Sequence, residues 1–591
     1  MTTQEKIAAL RTFMNTYQID AWIVPSADPH QSEYMADHWK IRAWLSGFTG
    51  SAGTLVVTPD RAGLWTDSRY FLQAEQELAD SGIDLFKLKM PGVPDHIQWL
   101  AALLPQGARL GFDGNVVSVA QVQKLRNALQ TLRVQFFYQQ DLAAELWTER
   151  PAIPAEPVFL LDDRFCGESR VSKFSRVRAQ LVQQKATAHL ISPLDEIAWL
   201  LNLRGRDIDY NPVTISYAYI SEQEVRLFID PHKVNGDVRK VLEADGVILV
   251  PYHDLFSFLE QLPPESTVLL DPHKTTQIVS DIVASRATVR GGENLVFSMK
   301  AIKNPVELEG LRQAHVRDGV AMVKWLYWLD QQIGNRDLTE VTVVAPLEAF
   351  RRQGKYFQGL SFHTIAGYQA NGAICHYAAK PETALSIKPE GLLLVDSGAQ
   401  YADGTTDITR TLALAPPTEQ QRRDFTLVLK GHIALATAKF PRGTSGAQLD
   451  TIARLVLWQQ GLNYGHGTGH GIGHFLSVHE GPQSLRPESM VALEPGMVCS
   501  NEPGLYREGE YGIRIENLII TIPAEKTAFG TFYQFETVTL CPMDLDLVEP
   551  ALFTNEERDW LNAYHRTVFE KLVSGLNTEE AAWLRHETRE I

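Results

Sequence analysis

Apolar positions change their spacing repeatedly along the chain, and each change marks an element. Ile7, Leu10, Met14 and Tyr17 recur at helical intervals, and the unbroken run Ala21-Trp22-Ile23-Val24-Pro25 reads as a short strand. The stretch Arg42-Ala43-Trp44-Leu45-Ser46-Gly47-Phe48-Thr49-Gly50 leads into Thr54-Leu55-Val56-Val57-Thr58, which turns at Pro59-Asp60 and returns through Gly63-Leu64-Trp65-Thr66. Strands interleaved with helices predict an α/β domain over residues 1–150. Pro151, Pro154 and Pro157 then read as a linker.

Beyond the linker the same plan returns. A helix is expected over Ser172–Gln184, a strand over Ala188–Ile191, and a hairpin through Val225–Ile229. W-L-S-G-F-T-G, opened by Trp44, has a counterpart in W-L-L-N-L-R-G, opened by Trp199. The shared order of elements predicts an internal duplication, with the second copy at 156–298. From Met299 the pattern lengthens: Lys300-Ala301-Ile302-Lys303-Asn304-Pro305-Val306-Glu307-Leu308 is expected to start a long helix through Trp325 and Trp328. All the candidate metal chemistry follows it, so a catalytic domain is placed at 299–528. A C-terminal extension is placed at 529–591, where Thr554 and Glu557 make a capping box for a helix through Trp560, Leu561 and Tyr564.

Composition narrows the class. At 591 residues the chain needs two to four domains, and its fold class is α/β (α+β). A formal net charge of -16 and a pI near 5.6 argue against a nucleic-acid or anionic-membrane surface. Cys166, Cys375, Cys499 and Cys541 are far apart and form no C-x-x-C pair, which fits a reducing compartment and gives no disulfide framework. The N-terminus lacks the continuous apolar core of a signal peptide, and no transmembrane-length run occurs. A soluble cytoplasmic protein is expected.

The candidate chemistry centres on Tyr464 to Pro482, Y-G-H-G-T-G-H-G-I-G-H-F-L-S-V-H-E-G-P, which holds four histidines and six glycines. Glycines at this density let the backbone take positive φ and approach a bound group, and imidazoles supply ligands and proton-transfer groups. Upstream, Leu392-Leu393-Leu394-Val395-Asp396 turns around Asp403-Gly404 and returns as Thr405-Thr406-Asp407-Ile408-Thr409, a predicted hairpin with a carboxylate on each arm. Downstream, Ser500-Asn501-Glu502-Pro503-Gly504 and Gly512-Ile513-Arg514-Ile515-Glu516-Asn517 each set a glutamate beside a strand-like run. The candidate ligand set is Asp396, Asp407, His470, Glu502 and Glu516. So oxygen-rich a set favours Mn2+ or a similar divalent ion, with Zn2+ or Co2+ as alternatives. Four negative charges balance two dications, and two ions about 3.5 to 4 Å apart can share a hydroxide and stabilise both attack and the oxyanion that follows.

D-S-G-x7-T-D-I-T-R, G-H-G-T-G-H-G-I-G-H-F-L-S-V-H-E-G-P, S-N-E-P-G and G-I-R-I-E-N together resemble the three-domain Xaa-Pro aminopeptidases (aminopeptidase P) of the pita-bread metallopeptidases. The resemblance implies two creatinase-like domains, a pita-bread catalytic domain and a homodimer. It implies peptide substrates with proline in second position, no nucleic-acid partner and no membrane. Position by position, it implies that Asp396 binds one metal, that His470 and Glu502 bind the other, and that Asp407 and Glu516 bridge them. Glu502 also becomes the proton shuttle to the leaving amine. His376, His466 and His479 match positions that contact the peptide and the developing oxyanion, and Arg42 matches an arginine that reaches the peptide from the first domain. His474 is assigned no chemistry, and Arg514 is read as a partner of the carboxylates. The alternatives are a prolidase, which shares the five ligands but cleaves only Xaa-Pro dipeptides, and a non-catalytic pita-bread module that binds peptides. Retention of all five ligands argues against the latter.

Overall fold

A computed structural model describes the backbone of residues 1–591 and every side chain except those of residues 142 and 143. Its contacts divide the chain into two units, residues 1–160 with 168–296, and residues 161–167 with 297–591.

The first unit contains two six-stranded sheets. One holds β1 (Ala21–Pro25), β2 (Thr54–Val57), β3 (Ala62–Thr66), β4 (Asp84–Lys87), β5 (Arg109–Phe112) and β6 (Gln135–Phe137). The other holds β7 (Ala188–Ile191), β8 (Ser216–Ser221), β9 (Val225–Ile229), β10 (Val247–Val250), β11 (Thr267–Leu270) and β12 (Thr288–Gly291). Their spatial orders are β4-β3-β2-β1-β5-β6 and β10-β9-β8-β7-β11-β12. Strand directions also agree: the first three strands of each sheet are antiparallel neighbours, and the fourth, fifth and sixth join in parallel. This is the duplication expected from the sequence. Trp44 and Trp199 lie on equivalent helices, Ile41–Ser46 and Leu194–Leu200, each between the first and second strands of its sheet.

Leu295–Ala301 forms a helix of its own, and the long helix of the second unit starts later than expected, at Pro305, and runs to Gln332. A proline is tolerated in the first turn of a helix, where its missing N–H costs nothing. Asn304 caps this start, and Glu307 closes the capping box. Among the second unit's strands are β13 (Ile365–Tyr368), β14 (Leu392–Ser397), β15 (Ile408–Ala413), β16 (Lys439–Pro441), β17 (Val498–Asn501), β18 (Gly504–Arg507), β19 (Tyr511–Arg514), β20 (Asn517–Thr527) and β21 (Gly530–Thr537). They form a β13-β14-β15 sheet, a β16-β21-β20-β17 sheet and the hairpin β18-β19. Helices Glu419–Ala436 and Asn555–Leu572 share one core with these strands through Phe425, Leu429, Ile513, Leu561 and Val568. Residues 161–167 also belong here: Phe165 O accepts from His474 Nε2 at 2.9 Å, and Cys166 O accepts from Asn304 Nδ2 at 2.7 Å. Among the described residues, no helix is long and apolar enough to cross a membrane.

Candidate metal centre

The expected hairpin is β14 and β15, paired so that Asp396 faces Thr409. Asp407 lies just before β15, held off the ladder where Thr406 N bonds Ala399 O at 2.8 Å and Ser361 Oγ donates to Thr406 O at 2.9 Å. Glu516 sits between β19 and β20; its N–H bonds Thr409 O at 3.1 Å, and its Oε2 accepts from Thr409 Oγ1 at 2.8 Å. One threonine therefore ties the glutamate to the strand that follows Asp407.

His470 and Glu502 are tied by Ser500. The Ser500 hydroxyl accepts from His470 N at 3.0 Å and donates to Glu502 Oε1 at 3.1 Å. Nδ1 of His470 faces Gly471 O at 3.1 Å, which fixes the proton on that nitrogen and turns Nε2 toward the carboxylates. From there Nε2 lies 3.5 Å from Asp407 Oδ2 and 3.5 Å from Glu502 Oε1. Donor atoms of Asp407, His470 and Glu516 all fall within 4.8 Å of one another. Asp396 completes the set, with Oδ2 bound by Arg514 Nη2 at 2.7 Å and Oδ1 buried without a hydrogen-bond partner.

The glycine-rich segment works differently from the expectation. Among the described residues, none of its glycines has a positive φ. They serve instead for close approach: a Cβ on Gly469 would lie 2.0 Å from Ser500 O, and one on Gly471 would lie 2.0 Å from Glu480 O. The segment is docked by helix Gly446–Trp458, whose Arg454 donates to Tyr464 O and His466 O and whose Asp450 accepts from Thr468 Oγ1 at 2.6 Å. At its far end the buried Glu480 carboxylate meets Lys303 Nζ at 2.6 Å and Lys300 Nζ at 3.1 Å.

The remaining candidates divide. The His479 ring lies edge-on to His470, with centroids 4.3 Å apart. Half-buried His376 follows a short helical turn, Gln369–Ala373, that packs on β19. His466 has Nδ1 on Gly467 O and Nε2 on the Tyr506 hydroxyl, both at 2.7 Å. Tyr506 accepts in turn from Arg514 Nη1 at 2.8 Å, so a hydrogen-bonded chain runs from His466 to Asp396. Sequence reading missed Tyr506, Thr409 and Ser500. In the first unit Arg42 is 3% exposed, and its guanidinium donates to Ser26 Oγ, Phe48 O and Gly50 O.

The electrostatics fit a cation site. Burial, with repulsion from Glu516, Asp396 and Glu502, pushes Asp407 well above the usual carboxylate range, and burial beside Glu502 and Asp396 does the same to Glu516. Glu502 is lifted to about 7 by burial and by Asp396, against the pull of Arg514 and His479. Buried carboxylates crowded in this way are stable either protonated or with metal. An orphaned carboxylate oxygen on Asp396 and an aimed imidazole nitrogen on His470 are the kinds of donor a divalent ion takes.

Comparison with known proteins agrees with this geometry. Residues 309–522 match the metallopeptidase family M24, residues 6–141 and 149–307 each match a creatinase/prolidase N-terminal domain, and residues 531–591 match the C-terminal region of peptidase M24. A probable Xaa-Pro aminopeptidase P of Coprinopsis cinerea is 40% identical over 100% of this chain and 98% of its own length. The chain belongs to the Xaa-Pro aminopeptidase P family. It is a metallo-aminopeptidase with a pita-bread catalytic domain behind two creatinase-like domains, and its ligand set suits two divalent metals. Aminopeptidase P2 of Arabidopsis thaliana is 39% identical over 100% of the chain and 89% of its own length. Among solved structures, an X-prolyl aminopeptidase from Caenorhabditis elegans, described as a cytosolic enzyme with a di-nuclear active site, is 35% identical over the whole of both chains, with a TM-score of 0.95. An Xaa-Pro dipeptidase from Bacillus anthracis, 23% identical, shares only the fold over 64% of this chain and 99% of its own, with a TM-score of 0.51.

Proposed function

We propose that this enzyme removes the N-terminal residue from peptides whose second residue is proline, in the cytosol, with two Mn2+ ions held by Asp396, Asp407, His470, Glu502 and Glu516. The observation that carries the reading is the convergence of Asp407, His470 and Glu516 donors within 4.8 Å, in a chain matched end to end by Xaa-Pro aminopeptidases. When bound, the metals would lower the pKa of an attacking water and polarise the scissile carbonyl.

This chain's residues supply the rest. Glu502 accepts the proton released on attack and returns it to the departing prolyl nitrogen. His376 and His479 donate toward the carbonyl oxygen as negative charge develops on it. His466 contributes through Tyr506 and Arg514, whose guanidinium offsets the charge of Asp396. An X-Pro bond has no N–H, so a mechanism that relies on metal and imidazole to activate the carbonyl needs no hydrogen at the scissile bond.

The test offers Xaa-Pro dipeptides and Xaa-Pro-Xaa tripeptides side by side to enzyme of measured metal content. Release of the N-terminal residue from the tripeptide, lost on chelation and restored by Mn2+, is expected. Exclusive turnover of the dipeptide would instead identify a prolidase.

A further inference from the structure

Next to the ligands lies a buried polar layer that the chemistry above does not use. Arg410, 1% exposed, follows Asp407 by three residues. Its guanidinium makes six hydrogen bonds, none of them to a carboxylate. Nε donates to Pro542 O at 3.0 Å, and Nη1 donates to Thr409 O at 2.9 Å and Glu516 O at 2.7 Å. Nη2 donates to Asn517 Oδ1 at 2.8 Å, Cys541 O at 2.9 Å and the Tyr564 hydroxyl at 3.0 Å. A buried cation is costly unless its donors are satisfied. Here the satisfying oxygens include the main chain on both sides of the metal site, beside Asp407 and at Glu516.

The layer continues under the other glutamate. His432, on helix Glu419–Ala436, has Nδ1 on Asn501 O at 3.1 Å and Nε2 facing Asn517 Nδ2 at 3.1 Å, while Asn501 Nδ2 donates to His432 O at 2.9 Å. Asn501 and Asn517 are partners in the β17-β20 register and are the immediate neighbours of Glu502 and Glu516. Helix Asn555–Leu572 closes this layer. The Tyr564 hydroxyl also reaches Thr539 O at 3.0 Å and Cys541 O at 2.9 Å, its ring stacks on Trp560 at 5.3 Å, and Trp560 meets the His432 ring edge-on at 6.1 Å.

We propose that Tyr564 is a positioning residue of the metal centre: acting through Arg410, it fixes the separation of the chain segments bearing Asp407 and Glu516. The C-terminal region thereby sets how tightly the second of two ions is held. The physical need is plain, since four carboxylates repel one another until both ions are in place, and a site loosened by about 0.5 Å loses its geometry. The inference rests on the dinuclear reading above.

The experiment titrates metal-free wild type, Tyr564→Phe and Arg410→Lys with Mn2+ alone, following free ion and the spin-coupled pair by electron paramagnetic resonance. Thermal unfolding of the metal-free proteins and the split between kcat and KM on an Xaa-Pro-Xaa tripeptide are measured alongside. Tyr564→Phe is expected to weaken the second Mn2+ by about tenfold, with a larger loss in Arg410→Lys, a diminished coupled signal, and kcat reduced at unchanged KM. A hydroxyl that only stabilises the core would lower the metal-free unfolding temperature and leave the titration superimposable on wild type, and that result overturns the proposal. Should Tyr564→Phe not fold, Trp560→Phe, which keeps the hydroxyl but loosens the ring that steers it, is titrated instead, and unchanged binding again overturns it. Wild type that binds two Mn2+ without cleaving Xaa-Pro peptides would refute the reaction proposed above while leaving the comparison of titrations intact; binding of fewer than two ions refutes both.

Discussion

Glu502 shows how much a single position is asked to do. It accepts a hydrogen bond from Ser500, faces His470 Nε2 at 3.5 Å, and is held near neutrality by burial and by Asp396. Glu502→Gln keeps the shape and removes the proposed proton-transfer group, so turnover should fall by about 10²–10⁴-fold while circular dichroism stays that of the wild type. Near-normal kcat would reject the assignment. The same carboxylate gives a pH dependence to the metal-free protein. Its folded pKa of about 7 lies above the ordinary 4.5, so between those values the folded state holds a proton that the unfolded chain has released. Asp407 and Glu516 shift in the same direction. The share of metal-free stability that these carboxylates contribute should therefore fall as pH rises from about 4.5 to about 7, against the opposite slope of buried histidines such as His432 and His565, held down to about 3, and Mn2+ should abolish most of the carboxylate share. The gain in unfolding temperature on adding Mn2+, compared at pH 5 and pH 8, isolates that share, since the histidines weigh on both forms; a gain no larger at pH 8 than at pH 5 would contradict the crowding of these carboxylates. The ligand candidates were legible in the sequence because their motifs are local. Ser500, Thr409 and Tyr506 were not, because each takes at least one partner from a distant part of the chain: Ser500 meets His470 across 30 positions, Tyr506 meets His466 across 40 and Thr409 meets Glu516 across 107.

At the scale of elements, the glycine-rich segment is held at one end by helix Gly446–Trp458 and at the other by Glu480 between two buried lysines. Breaking a buried ion cluster leaves the remaining charges unpaired, so Glu480→Gln should cost about 3 to 5 kcal/mol in a urea titration. Because Glu480 adjoins His479, kcat should fall as well. A stability change below about 1 kcal/mol would show that Lys300 and Lys303 find other partners or water. The order of helices and strands in the N-terminal half could be read from periodicity, and it exposed the duplication. The shared sheet order, with β1 and β7 central, could not, because crossovers leave no mark on local pattern. The start of the long helix was misjudged for a related reason: the apolar and basic pattern runs on through Lys300–Leu308, and only the Asn304 cap and the fit of Pro305 to a first turn divide it.

For the whole molecule, metal binding is also folding energy, because the unfolded chain has no assembled site. Chelation should lower the unfolding temperature, and free metal at about 100 times its dissociation constant should restore about 2.7 kcal/mol. A melting curve indifferent to chelator would argue against any such cage. The division of the chain adds a constraint on how the catalytic part could be isolated. A fragment begun at residue 297 would carry every candidate ligand, yet Phe165 and Cys166, which receive hydrogen bonds from His474 and Asn304, would be gone. A minimal hydrolase cut from this protein would have to bring a short upstream peptide with it, grafted or supplied in trans, because the catalytic body is not contiguous in the gene that encodes it.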